Sequence, residues 1–424
     1  MQKRPVACFI FVLLLQMGVR GQVLQDTLSV ALPQAEKMFL DSNLLLLAQK
    51  YNVSAQQALV MQAKLWPNPN FSLEHGPLAH VPNPDATFFN NSSTAASLSQ
   101  LILLAGKRNK QVKLAQANAK LAQYQFFDLL RTLKYTLRTD FFNIYYKQQS
   151  AKVYQEEISA LQEVTQAFAD QQGKGYISEK EVLRIKAQLY SLKSEYNDLV
   201  NPINDLESEL KLILQVKPAF IVNPVAVPAT LARLDPGGFP LHTLLDSAFH
   251  NRTDLMIARE NAEISKLNYS YQKALAIPDL TLSAAYDQQG SYVNNFQSVG
   301  ASIDLPFFNR NQGNIRSAES LIESNQISQK STEATVEENV SRSLQKAFAN
   351  DKLYRGMDPG FLSDFDRLLH EVLANYKKRN LTLLEFLDFY DAYKQNILQT
   401  NQLAFGRVSA FEDLNFYTGT NFFN

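Results

Sequence analysis

Apolar residues at Val112, Ala115, Ala119, Ala122, Phe126, Leu129, Leu133, Leu137, Phe141 and Ile144 recur at steps that mostly alternate between three and four. Such spacing keeps them on one stripe of a helix, and over so many turns it is the seam of a coiled coil. Neither glycine nor proline occurs from Lys107 to Gln172. The pattern therefore predicts one helix of roughly 100 Å at 1.5 Å rise per residue. Gly173 and Gly175 break it, and Ser178 followed three residues later by Glu181 is a capping box that opens the next helix. Thr382 and Glu385 repeat the device, so the chain is expected to hold two long antiparallel helical hairpins.

A period of two appears elsewhere. Phe71, Leu73 and His75, then Leu280, Leu282, Ala284 and Tyr286, alternate with smaller or polar residues, which predicts strands at about 70–76, 93–104, 279–286 and 298–306. The segments inside each strand pair are rich in Pro, Gly, Asn and Asp and read as exposed loops. Residues 42–74 align without gaps on 251–283, setting Leu46 on Leu255, Pro69 on Pro278 and Phe71 on Leu280. A tandem repeat is expected, with halves at 22–216 and 241–424. Between them lies a linker, 217–240, that carries five prolines with Gly237 and Gly238 and so suits neither a ladder nor a helix interior. The fold class is mainly α with a small β part.

The first residues carry Lys3 and Arg4, an apolar run from Val6 to Leu15, and small residues at Val19 and Gly21 ahead of Gln22. This is the pattern of a secretory signal peptide over 1–21, and the run is too short to span a bilayer. Cys8, the single cysteine, falls inside it, so the mature chain is expected to form no disulfide. With 41 basic and 41 acidic side chains, the composition advertises no nucleic-acid partner. No nucleophile elbow, zinc-protease motif, phosphate loop or dinucleotide fingerprint is present, so no catalytic residue and no cofactor is expected. The histidines, His75, His80, His242, His250 and His370, do not pair at helical ligand spacing, and no metal site is expected.

Export combined with four strands poses a geometric problem. A sheet edge cannot lie bare in hydrocarbon, and membrane barrels need about eight strands or more. Either the strands stay out of the membrane and the helices form a periplasmic scaffold, or several copies share one barrel.

The tandem halves, the stretch "DLPFFNRNQGNI" (304–315), its counterpart "QLILLAGKRNKQ" (100–111) and the hairpin turns "GKGYISEKEVLRIKA" (173–187) and "RNLTLLEFLDFYDAYKQ" (379–395) resemble the TolC-type outer-membrane efflux proteins. The order Pro, Phe, Asn, Arg, Asn, Gln, Gly in the first of these is similar to the cobalt-zinc-cadmium resistance branch. The resemblance runs from about residue 36 to residue 419.

It implies a homotrimer in the outer membrane that extends into the periplasm. Each protomer would give four strands to a shared twelve-stranded barrel and its helical hairpins to an α-barrel. Gly106 on one side and Pro306, Asn309, Arg310 and Gly313 on the other would form the elbows where strand becomes helix. Glu385 and Asp388, three apart on one helix, would form an acidic ring at the periplasmic gate, with Tyr376 as a gate tyrosine and Glu181 as an acid of the first hairpin. Without the resemblance, Glu385 reads as the partner of Thr382 in a cap. The turns holding Gly173, Gly175, Ser178, Leu381 and Thr382 would dock on a periplasmic adaptor linked to an inner-membrane pump, and Leu381 stands where some members carry a gate-locking arginine. The implied function is a passive exit duct, for heavy-metal cations, drugs or a secreted polypeptide. A stand-alone porin would need more strands than the sequence offers.

Overall fold

The computed structural model describes residues 26–76, 93–225, 235–289, 292–358, 360–378 and 380–423. The expected signal segment, Cys8 and His80 lie outside them. In chain order the elements are β1 (Thr27–Val30), α1 (Leu32–Ser42), α2 (Leu44–Ala63), β2 (Asn70–Gly76), β3 (Ser93–Ile102), α3 (Lys107–Gly173), α4 (Glu179–Leu214), β4 (Ile221–Pro224), α5 (Leu241–Asn251), α6 (Thr253–Leu275), β5 (Leu280–Asp287), β6 (Phe296–Ile303), α7 (Gln312–Arg355), α8 (Phe361–Lys377) and α9 (Leu383–Thr418). Setting β1 and β4 aside, two helices, two strands and a helical hairpin occur twice in this order. In the second occurrence the first arm of the hairpin is split between α7 and α8 around Met357–Gly360, where the Asp358 carboxylate accepts the Gly360 N–H at 2.9 Å.

The chain folds as two compact units, and each takes segments from both sequence halves. One comprises the described parts of residues 1–42, 137–228 and 362–402. Its core joins Val153, Leu161 and Val164 of α3, Ile185, Leu189 and Leu192 of α4, Tyr376 of α8, and Phe386, Tyr390 and Tyr393 of α9. The expected seam residues Leu137, Phe141 and Ile144 are fully buried here. This unit also holds a two-stranded parallel sheet of β1 and β4, which the sequence pattern did not predict. The proline-rich linker is thus partly a strand. Proline is tolerated because Pro224 closes β4 in a sheet of only two strands, where a missing amide costs no central ladder bond.

The other unit comprises the described parts of residues 43–136, 229–361 and 403–424. Its helical core gathers Leu244 and Ala248 of α5, Leu255 of α6, Val336, Val340 and Ala347 of α7, Phe411 and Leu414 of α9, and Phe423. Arg407, 3% exposed, is neutralised by Asp351 at 2.7 Å.

This second unit carries a four-stranded antiparallel sheet in the order β2-β3-β5-β6. β2 spans the expected residues, β3 stops two residues short at Ile102, and β5 and β6 shift by one or two at their starts. The register sorts the side chains. Phe71 and Leu73 face across to Leu98 and Ala96, these to Ala284 and Tyr286, and these to Val299 and Gln297, so one face is mostly apolar. The other face bears Ser72 and Glu74, Ser97 and Ser99, Thr281 and Ser283, and Ser298, Gly300 and Ser302. Phe71, Leu73, Leu98 and Val299 are nonetheless exposed, Val299 at 90%. Among the described residues nothing covers the apolar face, and the outer edges of β2 and β6 are unpaired.

Strand gives way to helix at two elbows. In the first, Ala105 and Gly106 both have positive φ, at 55° and 67°. The Asp279 carboxylate, just ahead of β5, accepts the Leu104 N–H at 2.9 Å and pairs with buried Lys107 at 2.7 Å. In the second, residues 304–311 separate β6 from α7, a longer connection than the sequence suggested. Its polar side chains fold it onto itself: Asn309 accepts the Asn311 N–H at 3.1 Å, and Gln312 accepts the Arg310 N–H at 2.8 Å. Asn311, at φ 58°, donates from Nδ2 to the Gln272 carbonyl at 2.8 Å. The left-handed residue is Asn311, whereas Gly313 sits inside α7 with open space where a Cβ would stand.

Opposite effects are expected at the two elbow glycines. Gly106→Ala should destabilise by about 1–2 kcal/mol, the cost of a left-handed conformation for a residue with a Cβ. Gly313→Ala should stabilise by up to about 1 kcal/mol, since alanine favours helix. Thermal unfolding of the detergent-solubilised protein reads both, and equal shifts would contradict the assigned conformations.

Candidate functional site

The ends of the two helical hairpins in the first unit hold most of the residues singled out by sequence. Gly175, at φ 76°, closes α3 in a double-bonded C-terminal turn: the Tyr176 N–H reaches the Gln171 carbonyl at 3.0 Å and the Gly175 N–H reaches Gln172 at 2.9 Å. Ser178 then caps α4. Its hydroxyl accepts the Glu181 N–H at 3.4 Å, and the Glu181 carboxylate accepts the Ser178 N–H at 3.1 Å. In the second hairpin the Glu385 carboxylate accepts both the Thr382 N–H and the Thr382 hydroxyl at 2.8 Å. These bonds, the backbone one first, hold the Glu385 carboxyl below the usual range. Glu385 is therefore an ionised cap. It and Asp388 are both exposed on the first turns of α9, on the side away from buried Phe386 and Tyr390.

Tyr376 is placed differently. It is 4% exposed and lies parallel to Phe386, with ring centroids 4.2 Å apart and planes 9° from parallel, while Phe168 of α3 approaches at 5.6 Å. Tyr390 packs against Phe386 as a tilted ring, with centroids 4.7 Å apart and planes at 44°. Rings at these distances add attraction beyond the area they bury. Leu381, at the position where some members of the resembling family carry an arginine, packs half-buried against this cluster. The Tyr376 hydroxyl is buried with no hydrogen-bond partner among the described residues, and burial, reinforced by the Glu181 carboxylate, raises its pKa. The structure thus places buried Tyr376 within electrostatic reach of Glu181 and leaves Glu385 and Asp388 facing solvent.

One turn of helix beyond Tyr390, Lys394 is 2% exposed. Its ammonium donates to Glu195 of α4 at 2.8 Å and pairs with Asp391 at 3.0 Å. Burial would lower its pKa, but the bonds to Glu195 and Asp391 outweigh that and raise it. Glu157 of α3 is 4% exposed, and its Oε1 has no hydrogen-bond partner. Burial pushes its carboxyl up to about 8; Lys394 opposes the rise, and Asp391 and Glu195 add to it. Sequence reasoning did not single out this cluster. The visible signal was Lys394 standing four residues after Tyr390 and eight after Phe386, a cation on an apolar stripe.

Among the described residues no group of three or more His, Cys, Asp or Glu is placed to hold a metal ion. His75 shares a 3.0 Å hydrogen bond with Thr94, and His250 one of 2.7 Å with the Asp246 carbonyl. No described helix is long and apolar enough to cross a membrane.

The Glu157 environment fixes a pH dependence. The group keeps its proton to about pH 8 when folded, but loses it near pH 4.5 when unfolded. Its contribution to stability is complete below pH 4.5 and is lost as pH rises through about 8. Glu157→Gln should therefore gain on the wild type steadily between pH 5 and pH 8 in thermal midpoint. A constant difference across that range would mean that Glu157 titrates as an exposed acid.

Residues 37–214 match the family model described as outer membrane efflux protein. The cobalt-zinc-cadmium resistance protein CzcC of Cupriavidus metallidurans is 21% identical over 278 residues, 65% of this chain; the match spans 63% of that relative, under two thirds of its length. Among solved structures, the Campylobacter jejuni CmeC outer membrane channel superposes with a TM-score of 0.74 at 14% identity, covering 92% of this chain and 86% of that one. CusC, described by its transmembrane channel formation, gives 0.71 at 15% identity over 92% of each chain. A membrane protein from Pseudomonas aeruginosa gives 0.73 at 15% identity over 92% and 90%. The outer membrane efflux protein model thus covers residues 37–214, and the fold of the solved outer membrane channels is shared over nearly the whole length of this chain.

Proposed function

We propose that the chain is an outer-membrane exit duct that performs no chemistry of its own. The observation that carries this reading is the four-stranded sheet, with one apolar face, one polar face and two open edges. Unpaired backbone groups are not tolerated in hydrocarbon, so such a sheet can enter a membrane only by closing with copies of itself. Three copies supply twelve strands, an even number within the range of membrane barrels. The apolar face then meets lipid and the serine-rich face lines the lumen. Each tandem half, 22–216 and 241–424, contributes two strands and one helical hairpin, after removal of the signal segment 1–21.

In this trimer the hairpin turns at 173–178 and 378–382 meet a periplasmic adaptor, which couples the duct to an inner-membrane pump. Tyr176 and Leu384, 70% and 60% exposed beside the turns, are apolar contacts available for that docking. Exposed Glu385 and Asp388, repeated threefold, make an acidic ring that favours cations. Together with the similarity to CzcC, this favours heavy-metal cations as the cargo. Drug efflux and polypeptide secretion use the same architecture and differ only in the pump.

Growth of a strain lacking the chain, compared with its parent across graded zinc, cobalt and cadmium salts and across dyes, detergents and antibiotics, tests the reading. Selective metal sensitivity, restored by the intact gene and not by a Glu385→Gln/Asp388→Asn variant, is expected. Sensitivity confined to organic compounds would overturn the metal assignment, and recovery of the protein in the soluble fraction without detergent would overturn the duct itself.

A further inference from the structure

At one end of the four-stranded sheet the chain passes between strand and helix through four connections, residues 64–69, 103–106, 276–279 and 304–311. This end is both greasy and basic. Leu65, Trp66, Leu305, Phe307 and Phe308 are exposed, Trp66 at 60% and Phe308 at 95%. Within the four connections the carboxylate side chains are those of Asp279 and Asp304, and Asp279 is already engaged by Lys107.

Trp66 and Arg108 are joined here. The Arg108 guanidinium lies 4.5 Å from the centroid of the Trp66 ring. Its Nε donates to the Lys64 carbonyl at 2.8 Å, and its Nη2 donates to the same oxygen. Arginine carries five N–H donors, so most of the Nη donors are left open, and no described carboxylate pairs with this side chain. A cation held flat on an exposed indole, with open donors and lysines at 64 and 110 nearby, is complementary to an oxyanion at the boundary between an apolar and an aqueous phase. Tryptophan favours that boundary, and arginine binds phosphate through paired N–H groups. The apolar face of the sheet runs directly into this end, through Leu280, Ile102 and Ile303.

We propose that Trp66 and Arg108 form a site for the phosphate of an anionic phospholipid in the membrane leaflet that borders the strand-to-helix elbows. The inference rests on the sheet being a membrane barrel. Arg108 takes the phosphate, Lys64 and Lys110 add attraction for a net negative headgroup, and the indole lies against the glycerol and upper acyl chain. The site anchors the axial level of the protein, because α3 begins one residue before Arg108.

Trp66 is the single tryptophan of the chain, so its fluorescence reports this site alone. The full-length protein is reconstituted into phosphatidylcholine vesicles that carry, in equal minor fractions, either brominated phosphatidylglycerol or brominated phosphatidylcholine. The brominated anionic lipid should quench Trp66 more strongly. That preference should be lost in Arg108→Gln and partly kept in Arg108→Lys, while quenching by brominated phosphatidylcholine continues in both and shows the ring still in place. Equal quenching by the two lipids in the wild type would overturn the anionic site and leave the barrel untouched. Absence of quenching by either would place the ring outside the bilayer and overturn the membrane level assigned to this end as well.

Discussion

A backbone amide in hydrocarbon has no water to bond, so every N–H and C=O that enters a membrane must find a partner in protein. That constraint governs how the whole chain can be used. Its helices satisfy it internally, and each helical core closes within one compact unit. The sheet does not: among the described residues β2 and β6 each present a bare edge, and the apolar face is uncovered. A single copy is consequently a finished helical protein attached to an unfinished sheet. The proposed trimer resolves the mismatch by pairing β6 of one copy with β2 of the next, without any new secondary structure.

The polar residues of the junctions serve the backbone. Asn309, Asn311 and Gln312 satisfy amides and carbonyls of the second elbow and of α6, and Asp279 binds an amide and a lysine of the first. At the hairpin ends Glu181 and Glu385 are caps. Such side chains are occupied by holding the path of the chain, which fits the duct proposed above. Glu385 can serve in both ways, because a carboxylate that accepts from Thr382 keeps its full charge toward solvent.

Much of this was legible in the sequence. The three-and-four spacing along α3 located its buried stripe, since Ala119, Ala122, Leu137, Phe141 and Ile144 are all buried. Two glycines and two capping boxes located the hairpin ends, because those devices depend on local chemistry alone. The β1–β4 pair was not legible, since strands of four residues carry too little alternation and proline-rich sequence reads as connection. Nor was the state of Tyr376. The resemblance suggests a gate role for Tyr376, but its stacking on Phe386 and the lack of a described hydroxyl partner arise only when three helices pack. Gly313 reads in the sequence as the glycine of the elbow, yet the left-handed conformation falls to Asn311, whose side-chain bonds to Gln272 compensate for it.

The pairing of β3 with β5 sets Ile102 beside Leu280, joining residues from opposite halves of the chain across the whole first helical hairpin. Contacts so distant in sequence form slowly, because a long loop must close before any bond rewards it. Until the second half has been delivered, β2 and β3 are a lone hairpin, which is marginal in water. For the proposed outer-membrane duct this means that the exported chain travels with the residues of its sheet unpaired, and depends for safe passage on whatever shields them along the way.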